Sequence, residues 1–210
     1  MTTDILTFYQ KAKEICIRSG YQNEIDWVEK RKLEDQTADD FGRQFMYVIL
    51  NSGMNNKIAE GIYVKAMKHG MMAIGHPGKR AAIIKGLEMK EQWFNELKSK
   101  KTLNEQLTFL ESLPWIGPIT KYHLARNLGI DVAKPDRHMV KVAHHFNFPN
   151  VQKLCEAVSL KTDERIGTVD VVLWRAMHIT EGKILEDAII KKSLDDAKEG
   201  RILPLEPGGI

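Results

Sequence analysis

Residues 102–142 hold the groups best suited to chemistry. The run Leu-Pro-Trp-Ile-Gly at 113–117 stands between two stretches of helical periodicity, so it predicts a tight hairpin between two short helices. The first turn of a helix has backbone N–H groups without intrahelical partners, and the helix dipole is positive there. The amides of Gly117, Ile119 and Thr120 therefore predict an anion site that fits one phosphate of a nucleic acid.

Side chains close to the hairpin extend this candidate anion site. Thr120, Lys121 and Arg126 can each add a contact to a DNA backbone. Trp115 can stack on DNA, pack on the second helix or serve as a core aromatic. An ordinary connection between two helices, with no ligand, is the alternative interpretation of the hairpin alone.

A second group follows one short turn later, in the run Lys-Pro-Asp-Arg-His at 134–138. Pro135 and Asp136 open a predicted helix, and a carboxylate at a helix start stays ionised because of the dipole. Such an aspartate is either a simple helix cap or a catalytic carboxylate.

Together the two groups resemble the helix–hairpin–helix superfamily of DNA glycosylases. The matching residues are Leu113, Pro114, Ile116, Gly117 and Thr120 in the hairpin, and Asp136, His138, Val140 and Val142 after the turn. The resemblance spans about residues 38–180. It implies an all-α fold with two helical lobes and an active site in the cleft between them.

The resemblance also implies a reaction. Asp136 would be the catalytic carboxylate that stabilises positive charge on the deoxyribose while the base–sugar bond breaks, and it would orient the attacking water. Relatives that also cut the strand carry a lysine two residues after the second hairpin glycine. Ile119 stands there and cannot form a Schiff base. We therefore expect a monofunctional glycosylase that needs no cofactor and no metal.

An enzyme of this kind must flip its target base out of the duplex into a pocket. The candidate pocket residues combine flat, polar and cationic side chains: Tyr47, Asn51, Met54, Lys134, Arg137, His138 and Trp174. Met54 is the bulky side chain of the loop after the helix at 41–52, where the family inserts a wedge into the vacated stack.

Two alternatives stay open. Several runs are also similar to a phage-type branch of the superfamily, which is thought to attach an amino acid or amine to activated 5-hydroxymethyluracil in DNA. Cations around Asp136 suit a phosphorylated base as well as a DNA backbone. The second alternative is a non-catalytic DNA-binding module. In each case the expected partner is double-stranded DNA, with an amine co-substrate in the transferase alternative. We expect a cytoplasmic monomer, nucleoid-associated or in the host cytoplasm if phage-encoded.

Composition limits the class of protein. The chain has 210 residues, a net charge of +3, 43% hydrophobic and 28% charged residues, so it is neither disordered nor strongly basic. No apolar run is long enough for a bilayer, and no secretion signal follows Met1. Cys16 and Cys155 match no metal spacing and predict buried, reduced thiols.

The elements that must position these groups are about ten helices, since no hairpin of alternating strands is found. Thr37 is predicted to cap the helix through Leu50, Asn55 or Asn56 the next one, and Thr102 or Asn104 the helix before the hairpin. The helix after the hairpin is predicted from Pro118 to Leu128. We expect N-terminal helices over 1–36, the glycosylase-like domain over 37–200 and a loose tail over 201–210.

Overall fold

The computed structural model describes residues 5–198, except for the side chains at 56 and 192–198. Within that range every regular secondary-structure element is a helix, which confirms the predicted all-α class. The predicted loose tail over 201–210 lies outside the described residues. Short 3-10 turns cover Leu33–Asp35 and Met71–Ala73. The α-helices are α1 Ile5–Arg18, α2 Gln22–Lys30, α3 Ala38–Asn51, α4 Asn56–His69, α5 Pro77–Glu88, α6 Lys90–Ser99, α7 Leu103–Ser112, α8 Thr120–Asn127, α9 Arg137–His145, α10 Val151–Thr162, α11 Ile166–Ile179 and α12 Lys183–Lys198.

The chain forms two compact units. The central unit is Asp26–Pro135, and the terminal unit combines Met1–Ile25 with Asp136–Ile210. The division falls at Ile25 and Pro135 rather than at residue 37, because α1 packs on α10 and α11 from the other end of the chain. The hairpin therefore belongs to the central unit, and Asp136 is the first residue of the second stretch of the terminal unit.

In the central unit, α3 is the helix against which α4, α5, α6 and α8 pack. Phe41, Phe45 and Ile49 recur every four residues and are fully buried, so one face of α3 fills the core. The helix begins with a capping box, in which Thr37 Oγ1 accepts from the Asp40 amide and the Asp40 carboxylate accepts from Thr37. The Thr37 hydroxyl, which donates to that carboxylate, lowers the pKa of Asp40 to about 2. The predicted cap at Thr37 is confirmed.

Caps decide the other helix starts as well. Asn55 caps α4, and Thr102 with Glu105 forms a second capping box before α7. Helix α5 begins at Pro77, because the His76 ring accepts from the Lys79 amide and Pro77 fits the first helical position.

In the terminal unit, α1 packs its apolar face on α11. Phe8, Ala12 and Cys16 lie four residues apart and are buried. Glu164, which lies just before α11, links that region to α1. Its carboxylate accepts from Tyr9 Oη at 2.8 Å and from Lys13 Nζ at 2.7 Å. Cys16 and Cys155 are both buried thiols, as predicted, and no disulfide joins them.

The end of α8 is locked to the segment that precedes α3. Gly129 has φ +88°, and a Cβ placed on it would lie 2.5 Å from the backbone carbonyl carbon of Lys32. Arg31 Nε donates to the Asn127 carbonyl, and Asn127 Nδ2 donates to Gln44 Oε1 at 3.0 Å. Only glycine combines this left-handed backbone with so close an approach.

We expect Gly129→Ala to destabilise the protein by at least about 2 kcal/mol, since the new methyl group meets backbone rather than a flexible side chain. The matched control is Gly61→Ala on α4, where no heavy atom lies within 4 Å of the added Cβ. That change should be neutral or stabilise by up to about 1 kcal/mol through helix propensity. Urea unfolding of both variants measures the difference. Equal urea midpoints would contradict the close contact of Gly129 with the Lys32 backbone.

Candidate functional site

The hairpin between α7 and α8 is anchored by two buried apolar side chains, Leu113 and Ile116. The Ile116 amide donates to the Leu113 carbonyl at 3.1 Å, which closes the turn. Trp115 lies at its tip with φ +64°, in the left-handed region. A residue with a Cβ costs about 1 kcal/mol there, so the surroundings must hold Trp115 in place.

Trp115 is held by the start of α5. Its ring contacts the ring of His76 edge to face at 4.9 Å, and a Cβ on Gly78 would come within 2.8 Å of the indole. The side chain is still 46% exposed. The interpretation of Trp115 as a core aromatic is therefore wrong. It remains available on one side for a stacking partner.

The amides of the hairpin are only partly available. Gly117 N–H donates to Thr120 Oγ1 at 2.6 Å, so one of the three amides predicted for the anion site is already occupied. Among the described residues, no acceptor is found for the amides of Ile119 and Thr120. The regular helix begins at Thr120 rather than Pro118, although the Lys121 amide already donates to the Gly117 carbonyl. Two of the three amides predicted for the anion site therefore have no acceptor in the described part of the chain.

The cationic side chains predicted to support the hairpin differ in what they can reach. Lys121 forms an ion pair with Glu111 of α7 and lies 5.4 Å from the Tyr122 ring centroid. Arg126 is only 9% exposed, which contradicts its predicted contact with a DNA backbone. The reason is its place on the inward face of α8, between the buried Ala125 and Asn127.

Asp136 opens α9, as predicted. Its Oδ1 accepts from the amides of His138 at 3.0 Å and Met139 at 3.1 Å. These two bonds orient the half-buried carboxylate at the positive end of the helix. Arg137 next to it is exposed and donates from Nε to His138 Nε2 at 3.4 Å. The structure therefore brings Asp136, Arg137 and His138 together at one helix terminus.

A group of half-buried rings lies in the central unit. Tyr47 contacts His123 edge to face at 6.1 Å and Tyr63 at 6.4 Å, and Asn51 Nδ2 donates to Tyr47 Oη at 3.4 Å. We call Tyr47, Tyr63 and His123 the ring cluster. The sequence predicts Tyr47 and Asn51 for the pocket but not Tyr63. The signal for Tyr63 was its spacing from Ala59 and Ala66, which places it on the face of α4 toward α3.

His123 is kept neutral within this cluster. Burial lowers its pKa well below 6.5, and the positive charges of Lys134 and Arg126 lower it further. A neutral imidazole offers one donor and one acceptor, whereas an imidazolium offers donors alone. The half-buried Lys134, predicted for the pocket, is thus close enough to affect the ring cluster electrostatically.

The loop after α3 does not present a wedge. Met54 is half-buried and packs against the core of the central unit, which contradicts its predicted insertion into DNA in this state. Lys79 holds the same loop, since its buried Nζ donates to the carbonyls of Ser52 at 2.6 Å and Leu50 at 3.3 Å. Burial lowers the pKa of Lys79. The only sequence signal for Lys79 was a cation in the first turn of a helix, where the dipole disfavours it.

Trp174 lies in the terminal unit, within a stack of flat groups. The Arg175 guanidinium is 4.7 Å from the Trp174 ring and 4.4 Å from the Tyr21 ring. It also forms two hydrogen bonds to Glu24, at 2.6 and 2.8 Å. The Trp174 ring also stacks on the His178 ring, with centroids 5.6 Å apart. This stack ties the start of α2 to α11, so a structural role competes with the predicted pocket role of Trp174.

No family model and no curated protein matches the chain. Two solved structures share its fold. One is the 8-oxoguanine glycosylase/lyase of Methanocaldococcus jannaschii, crystallised with a 15mer DNA containing 8-oxoguanine, at TM-score 0.60 and 16% identity over 78% of this chain and 94% of that one. The other is the 8-oxoguanine DNA glycosylase Tm1821 of Thermotoga maritima, at TM-score 0.63 and 16% identity over 86% of this chain and 99% of that one. The chain therefore has the fold of the helix–hairpin–helix DNA glycosylases, as predicted.

Two further features concern the expected partners. Between residues 5 and 198, no helix is both long and apolar enough to span a bilayer. In the same range, no group of three or more His, Cys, Asp or Glu side chains is arranged to hold a metal ion.

We expect the unfolding free energy to fall as the pH drops below about 6.5, because unfolded His123 takes up a proton there and folded His123 does not. One such histidine removes about 1 kcal/mol between about pH 6.5 and pH 5.5. His123→Gln should remove this part of the dependence, whereas His69→Gln on the exposed end of α4 should keep it. In proton NMR the ring of His123 should titrate well below pH 6.5, and a normal titration would contradict the assignment.

Proposed function

We propose that the chain is an enzyme that acts on a base flipped out of duplex DNA, and that it is a monofunctional DNA glycosylase with Asp136 as its catalytic carboxylate. The observation that carries the proposal is the Asp136 carboxylate held by two amides at the start of α9, in a chain with the glycosylase fold. Both solved structures are named as 8-oxoguanine glycosylases, so an oxidised purine is the first substrate to test.

The role proposed for Asp136 follows from the charge that develops on the sugar during the reaction. As the base leaves C1′ with the electron pair of the glycosidic bond, positive charge develops on the deoxyribose. A carboxylate fixed beside the sugar stabilises that charge without reorganising, and it accepts a proton from the water that attacks C1′. The cap bonds from the amides of His138 and Met139 keep the Asp136 carboxylate oriented for this role.

The hairpin would bind the DNA strand. The amides of Ile119 and Thr120 supply two donors for one phosphate oxygen, aided by the dipole of α8. The exposed face of Trp115 adds a flat surface for stacking. For Lys121 to contribute, its Nζ must exchange Glu111 for a phosphate, because the two groups compete for it.

The ring cluster would contact the flipped base. Tyr47, His123 and the Asn51 amide combine flat surfaces with hydrogen-bonding groups, as base recognition requires. The neutral His123 both donates and accepts, and Lys134 favours a base with electron-rich carbonyl oxygens. Arg137, His138 and Trp174 stay predictions from the sequence.

The alternative reaction is transfer of an amine or amino acid to an activated 5-hydroxymethyluracil. It is favoured by the three cationic or titratable side chains within two residues of Asp136, namely Lys134, Arg137 and His138, which suit a phosphorylated base. A DNA-binding module without catalysis is the remaining alternative. The products of the reaction separate all three.

We expect the wild-type protein to release a free base from duplexes in a panel with 8-oxoguanine, uracil, alkylated purines, 5-hydroxymethyluracil and its phosphorylated forms. Asp136→Asn should reduce release by at least about 100-fold, because it removes the charge. It should still fold, since asparagine caps a helix as well as aspartate. Mass spectrometry of the nucleosides reports the product.

The outcomes are distinct. A free base with an alkali-labile site, lost in Asp136→Asn, supports the glycosylase. A mass gain on the phosphorylated pyrimidine in the presence of an amine supports the transferase. DNA binding that is unchanged by Asp136→Asn, with no altered nucleoside in the panel, supports the binding module.

We also expect no covalent complex between the wild-type protein and DNA containing an abasic site after borohydride reduction, since Ile119 supplies no amine. Ile119 is 42% exposed, so Ile119→Lys is tolerated sterically and should produce a trapped complex. Ile119→Met is the matched control. A complex trapped with the wild-type protein would show that another amine attacks the sugar.

A further inference from the structure

Helix α9 leads away from Asp136 and carries several cationic or titratable groups without any acid. No aspartate or glutamate occurs between Asp136 and Glu156. The first turn of α9 contains Arg137 and His138 and no acidic residue. A helix dipole disfavours a cation such as Arg137 at this end, so that charge does not serve the helix itself, whereas His144 lies in the last turn, where the dipole favours a cation. Local rules broken in this way are expected where a surface serves a partner.

One face of α9 is turned to solvent. Arg137, Val140, Lys141 and His144 lie three or four residues apart and are all exposed; we call them the α9 stripe. Val140 in its middle is 50% exposed. The opposite face, with Met139, Val142 and Ala143, is buried where α9 packs on α10 and α11. Packing within the terminal unit thus fixes which side chains point outward.

The charges of the stripe are not neutralised within the part of the chain that the structure describes. No carboxylate there forms an ion pair with Arg137, Lys141 or His144. Other lysines of the same unit do have acidic partners: Lys13 with Glu164, Lys153 with Glu156 and Lys11 with Asp187. The stripe is therefore a basic surface that is open to an anionic partner.

We propose that the α9 stripe is a second contact with the DNA backbone, separate from the hairpin, and that it follows the phosphates of one strand away from Asp136. The inference rests on the DNA-binding part of the proposed function. At a rise of about 1.5 Å per residue the stripe is about 10 Å long, over which one strand carries about three phosphates. Arg137 and Lys141 contact phosphates, and Val140 lies against the sugars between them.

The first experiment measures the salt dependence of binding to a fluorescein-labelled, undamaged duplex of about 20 base pairs, between about 50 and 200 mM KCl. The variants are Lys141→Gln and, as the matched control, Lys161→Gln on the exposed surface of α10. Both remove one charge from the terminal unit. We expect the slope of log Kd against log salt concentration to fall by about 1 in Lys141→Gln and to stay unchanged in Lys161→Gln.

A second pair adds an anion in place of an exposed apolar side chain. Val140→Glu introduces a charge into the stripe, whereas Leu160→Glu introduces it on α10, at a side chain that is 85% exposed. At the lowest salt concentration Val140→Glu should weaken binding at least about tenfold, and Leu160→Glu should bind like the wild type. Thermal melting checks that all four variants fold, as expected for surface changes.

The inference holds only if, in each pair, the stripe variant and its control differ in DNA binding as described. If Lys141→Gln equals Lys161→Gln, or Val140→Glu equals Leu160→Glu, the stripe is not a DNA contact and the inference is overturned. In that case the wild-type affinity and base release still test the proposed function independently. A wild-type protein that binds no duplex at all would overturn both.

Discussion

The reversal of the chain between α7 and α8 is the constraint on which the candidate site depends. A turn this short requires a left-handed residue at its tip, and Trp115 fills that position at φ +64°. Its conformational cost is offset by packing on His76 and Gly78 at the start of α5. The same turn brings Thr120 Oγ1 to the Gly117 amide, whereas the amides of Ile119 and Thr120 have no acceptor among the described residues. The anion site proposed at the hairpin therefore depends on a turn that is held in place by the start of α5.

The positions of charged groups are the second feature on which the proposed function depends. In the central unit, burial and two neighbouring cations hold His123 neutral beside Tyr47. In the terminal unit, Asp136 uses the dipole of α9 favourably, and Arg137 directly after it does not. Some surface charges in the same protein are paired, as in the capping box of Asp40 or the ion pair of Lys153 with Glu156.

Much of the fold was predictable because its signals are local. The caps Thr37, Thr102 and Asp136 follow from side-chain chemistry within four residues, and the helices that they begin were predicted from periodicity. The errors concern contacts between distant residues. Arg126 lies on the inward face of α8, Met54 packs on the core, and the Gly117 amide is already bonded. Lys79 was missed because its partners are carbonyl groups nearly thirty residues earlier, and backbone acceptors leave no trace in a sequence.

By itself the sequence determined the helical class, the hairpin, the carboxylate at a helix start and the isoleucine in place of a Schiff-base lysine. These depend on residue type and on spacing within a few residues, which periodicity and capping express directly. Only the tertiary structure decided which amides of the hairpin are available, what holds Trp115, and that Tyr63 and His123 join Tyr47. It also decided which face of α9 is exposed, since that depends on the packing of α10 and α11. Burial and partner choice are properties of the assembled core, and a linear pattern does not contain them.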